Sequence, residues 1–188
     1  MTVAGFIKSL ITVAAGVFLG LFATYMSLER GFSFGAVHAG PWTTWPKMGA
    51  MDIDPYSRAV LSRTAEIPLG TAEGISFVAR IENAACDYVI SGNVPTSRFW
   101  TITLVDSDGL LVANDADRFG FTSSGLLRSN EGTFEITIAR TARSGNWLPS
   151  GPKRNYLAVL RLYDSPLSGA SASLDKSSLP SVTQGACS

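Results

Sequence analysis

The sequence predicts a mainly β protein: an antiparallel β-sandwich preceded by one transmembrane helix and a short amphipathic helix. Two observations carry this. Ser9 to Leu28 is an uncharged, mostly apolar run, and beyond Gly70 the apolar residues recur with period two.

The apolar run has about the length that crosses ~30 Å of hydrocarbon as a helix. Lys8 precedes it and Glu29-Arg30 follow it. Soluble helices of this length carry charges on a solvated face, and this one has none. A cleaved signal peptide is the competing reading. Its apolar stretch is normally shorter, roughly 7–15 residues, and ends near small residues. Val37 and Ala39 are of the right type for such a site but lie too far beyond Leu28. Basic residues are nearly balanced across the span, so the short N-terminal flank decides the expected orientation: N-terminus in the cytoplasm, remainder exported. The location this predicts is the bacterial inner membrane, single-pass, with the C-terminal domain in the periplasm. Gly16 and Gly20 have the small-xxx-small spacing that lets two helices approach, although ordinary transmembrane composition gives the same pair.

Residues 31–53 read as an aromatic-rich linker holding Phe32, Phe34, Trp42, Trp45 and the only histidine, His38. Aromatics just outside a span suit the headgroup zone or pack on the domain. Asp54-Pro55 starts a helix, with Asp capping free N–H groups and Pro at the first helical position. Tyr56, Ala59, Val60 and Arg63 keep helical spacing to about Ala65, and Ile67-Pro68-Leu69-Gly70 ends it. Strands follow at Ile75–Ile81, Asp87–Ser91, Phe99–Val105, Thr133–Ala139 and Tyr156–Tyr163. Ser107-Asp108-Gly109 is a hairpin turn. The Ser/Ala-rich residues 168–188 form an expected tail, leaving 54–167 as the sandwich and 1–30 as the anchor.

Lysine plus arginine and aspartate plus glutamate both total 15. No concentrated basic field marks a nucleic-acid binder. Most basic residues are arginine, whose planar fork suits partly buried pairs with carboxylates. Cys86 and Cys187 are the two cysteines. If exported, they are candidates for a disulfide closing about 100 residues, worth up to ~4–5 kcal/mol in the chain-entropy model. The alternative is a buried apolar Cys86 and a free Cys187 thiol. No CxxC or Cys/His cluster suggests a metal, and no cofactor is expected.

The segments DPYSRAVLSR, IPLGTAEGISF, DYVISGNVPTSRFWTITLVDSDG, NDADRFGFTSS, ARSGNWLPSG and LRLYDSP resemble the bacterial family called domain of unknown function 1214, from Asp54 to about Pro166. The resemblance implies a jelly-roll-like β-sandwich and no established activity. In longer relatives this domain follows a second domain of unknown function. Here an anchor and a linker stand in that place, and a separate partner chain carrying the second domain is one expected alternative.

Candidate chemistry is sparse. His38 lies away from every serine-containing turn motif and no G-x-S-x-G occurs, so a serine triad has no basis. Asp106, Asp108, Asp115 and Asp117 cluster around one hairpin. Glycoside chemistry uses two carboxyls about 5–10 Å apart, but aspartate is also the ordinary residue of turns. A calcium loop would end in glutamate, and this region has none. Arg98, Arg118 and Arg161 invite pairing with Asp106 or Asp164. Alternatively, with Trp100, Trp147, Tyr163 and Asn146, they line a concave sheet face for an anionic or sugar ligand. Trp147 is also readable as a core plug beside a turn. The leading expectation is a binding or interaction module that recognises a glycan, a small anionic ligand or a partner protein. Its rivals are a carboxylate-dependent enzyme acting on envelope carbohydrate and a structural subunit of an envelope complex.

Overall fold

The computed structural model describes residues 3–30, 35–50, 52–64, 69–83, 85–152, 155–169 and 178–187. It divides into two compact units, Met1–Phe34 and Gly35–Ser188.

The first unit is one helix, α1 (Val3–Arg30). Its 28 residues reach about 42 Å at 1.5 Å each, and Val3–Ser27 is long and apolar enough to cross a membrane. The hydroxyls of Thr12 and Thr24 donate to the carbonyls of Lys8 and Gly20, four residues back. That satisfies both groups inside the helix, which a hydrocarbon solvent requires.

The second unit contains α2 (Pro55–Thr64) and ten strands: β1 (Val37–Ala39), β2 (Trp42–Thr44), β3 (Gly74–Ile81), β4 (Cys86–Gly92), β5 (Phe99–Asp106), β6 (Gly120–Thr122), β7 (Phe134–Ala139), β8 (Asn146–Pro149), β9 (Tyr156–Tyr163) and β10 (Ser181–Cys187). The Asp54 carboxylate accepts the Ser57 backbone N–H at 2.9 Å. Hydrogen bonding to Ser57 holds its pKa below the ordinary aspartate value. This is the N-cap that the Asp-Pro pair predicts. The expected stop at Ile67-Pro68 lies outside the described residues.

The strands form a six-stranded sheet, β1-β2-β3-β9-β5-β6, and a four-stranded sheet, β10-β4-β7-β8. Period-two alternation directs one face of each inward. Trp42, Phe77, Ile102 and Leu160 from the larger sheet share a core with Ile90, Ile136, Ile138 and Leu148 from the smaller. The two sheets therefore stack as a sandwich, antiparallel throughout except for β7 and β8, which run parallel. Short β6 and β8 have no long alternating run and escape a reading by periodicity.

Two expected segment roles change. Part of the linker becomes β1 and β2, with Trp42 fully buried and its indole N–H donating to the Pro180 carbonyl at 2.7 Å. Here the aromatic packs on the domain, because a buried indole N–H finds an acceptor there. His38 sits exposed in β1, with Nδ1 at 3.0 Å from Thr43 Oγ1. Phe32 and Phe34 lie outside the described residues. Residues 181–187 of the expected tail are strand β10, paired antiparallel to β4. A disulfide joins Cys86 and Cys187 across that pair.

Candidate functional site

The residues expected to line one sheet face fall in separate places. Trp100 pairs with Leu162 across β5 and β9, and both point into the core. Thr101 pairs with Arg161, and Phe99 with Tyr163, one residue out of phase and therefore on the outer face. Arg98 joins this outer end, 3.9 Å from Asp164, but both side chains are largely exposed, where such a pair contributes little. Asp106 ends β5 about 20 Å from Trp100, at ~3.4 Å per residue.

The buried Asp106 caps a turn: its Oδ1 accepts the N–H groups of Asp108 and Leu110 at 2.9 and 3.0 Å. Asp108, Asp115 and Asp117 are exposed. Arg118 bonds the Trp147 carbonyl at 3.0 Å and lies over the Phe121 ring, so it does not reach inward to Asp106. Of the arginines expected in carboxylate pairs inside the sandwich, Arg98 meets Asp164 only at the exposed end of the sheet, and Arg118 is held on a backbone carbonyl instead.

Asn146 is a structural clamp. Its amide accepts the Leu127 N–H at 2.7 Å and donates to the carbonyls of Leu127 and Glu135, both at 2.8 Å. Trp147 is half-buried on the outer side of the small sheet, its indole N–H fixed on the Ala139 carbonyl at 3.0 Å. Of the eight ligand candidates, only Asn146 lines the best-formed concavity.

That concavity is a groove of about 460 Å³ on the four-stranded sheet. Ser91 on β4 and Glu135 on β7 are paired neighbours, and Thr137 stands two residues further along, beside Trp147 on β8. One wall is the 128–134 turn. The Arg128 guanidinium donates to the carbonyls of Gly132 and Ser123 and lies 5.6 Å from the Trp100 ring centroid. The hydroxyls of Ser129 and Thr133 bond each other at 2.7 Å. Ser144 and Gly145 close the opposite wall, Gly145 with a φ of 81°. Alternation in β7 gives Glu135 and Thr137 as outward residues. Nothing in a linear pattern shows that Ser91 and Ser144 stand next to them. Among the described residues no group of three or more His, Cys, Asp or Glu is placed to hold a metal.

This is a mixed, β-dominated sandwich. Residues 79–167 match the model for the family described as protein of unknown function (DUF1214), which supports the resemblance of this domain to that family. The fold is similar to that of the VPA0106 protein of Vibrio parahaemolyticus, with a TM-score of 0.52 at 17% identity, covering 69% of this chain and 35% of that one. The chain thus spans about a third of that protein's length. An uncharacterised protein of Burkholderia cenocepacia matches with a TM-score of 0.38 at 18% identity, over 73% of this chain and 44% of that one. No curated protein matches the chain.

Proposed function

We infer that this protein is a single-pass inner-membrane protein whose β-domain, with the jelly-roll-like wiring its family implies, faces the periplasm and serves as a binding or interaction module. The carrying observation is a pair of features: an apolar helix fit to span a bilayer and a disulfide in the domain that follows it. Disulfides persist in oxidising compartments and are rare in the cytosol. The enzyme reading loses its motive, because the Asp106 carboxylate that suggested it caps a turn. Among the described residues the groove is lined by a single carboxylate, Glu135. A separate chain carrying the second domain of the longer relatives is a natural partner.

Protease added to spheroplasts tests the topology. The expected outcome is loss of a C-terminal epitope with protection of an N-terminal one. Protection of both ends, or release of the intact chain by carbonate washing, overturns it.

A further inference from the structure

We propose that the groove on the four-stranded sheet is a saccharide site, taking a short sugar without acidic groups that donates hydrogen bonds to Glu135. This rests on the binding-module reading and supplies its ligand class. Three features argue for it.

The first is chemical. Glu135, Thr137 and Ser144 have no protein partner for their side-chain oxygens among the described residues, and all three line the groove. Glu135 is exposed, and a carboxylate accepts hydrogen bonds and does not donate them. A ligand must therefore bring donors, which sugar hydroxyls and amino groups do in abundance.

The second is charge. The other charged lining residue, Arg128, already donates to two backbone carbonyls. An anion would meet the Glu135 charge without a free guanidinium fork to offset it. That sets aside the anionic ligand expected from the arginines.

The third is rigidity. The Ser129–Thr133 hydroxyl pair and the Ser91–Ser181 pair, at 2.7 and 3.0 Å, fix the rim before any ligand arrives. Trp147, cross-strand neighbour of Thr137, has its ring held by the Ala139 carbonyl. The volume of about 460 Å³ lies within the range of small-molecule pockets.

The test titrates the full chain, in a detergent without a sugar headgroup, with cellobiose, the glucosamine disaccharide and digalacturonate. Cellobiose and the glucosamine disaccharide are expected to bind, the amino sugar about tenfold tighter, and digalacturonate at least about tenfold weaker than cellobiose. Glu135→Gln should abolish the preference for the amino sugar. Thr137→Ala should weaken both neutral and amino sugars by about threefold or more. Digalacturonate binding as tightly as cellobiose, or an unchanged preference in Glu135→Gln, overturns the proposal. So does absence of binding by all three. In that last case, in-membrane crosslinking separates the two readings: a specific protein partner keeps the interaction module and removes the sugar site, while no partner removes both.

Discussion

The six-stranded sheet is built around β3, β9 and β5, which pair residue for residue over eight positions on both sides of β9. The four-stranded sheet has shorter pairings, one parallel pair and a register shift between Gln184 and Cys187. What it lacks in ladder it makes up in point fixings: a disulfide, the Asn146 clamp and an ion pair in which the Arg143 Nε and Nη2 both donate to Asp87 Oδ2, at 3.0 and 2.7 Å. The patched sheet has turns that rise over its surface, and the groove sits between them.

The contrast breaks if core truncation in the larger sheet proves mild. Leu160 is fully buried at the centre of β9. Leu160→Ala should cost about 2–5 kcal/mol, read as a lower urea midpoint for the full chain in detergent. Next is Cys187→Ser, expected to cost about 2–4 kcal/mol. Amide exchange should show the loss concentrated in β10 and β4, with β9 protected. Equal loss of protection across both sheets would mean that they unfold as one unit and that the fixings are not local. Asn146→Ala strands two carbonyls and an N–H and should cost about 1–3 kcal/mol. The accompanying signature is faster exchange at Leu127. Asp87→Asn should change stability by less than about 1 kcal/mol, because the pair is partly exposed. A salt titration of the thermal midpoint checks that.

The smallest effect lies outside both sheets. The Asp54 pKa is depressed in the folded chain, so its contribution is present above the ordinary value of 3.8 and is lost as pH falls through the folded value. Amide exchange at Ser57 should accelerate there relative to β9.

Legibility follows the same division. The long strands β3, β5 and β9 were readable because eight-residue alternation is a local signal. The hairpin aspartates were readable as turn residues for the same reason. The candidate site was not. Trp100 and Arg161 look like neighbours in a list of aromatic and basic residues, yet pairing parity sends them to opposite faces. Asn146 looks like a ligand group, but its amide is fully used by backbone from two other segments. The best-formed groove depends on Ser91, Glu135 and Ser144, three ordinary surface residues in sequence.

By itself, then, the sequence determined the apolar helix, the capped α2, the long strands and the family resemblance of residues 79–167, all of which follow from periodicity, capping chemistry or contiguous motifs. Tertiary structure alone decided that β1, β2 and β10 join the sheets, that β7 and β8 run parallel, and which polar side chains remain unpaired around the groove. Those outcomes depend on which strands become neighbours and in what register. Contacts between residues far apart in the chain set that, and no local pattern encodes them.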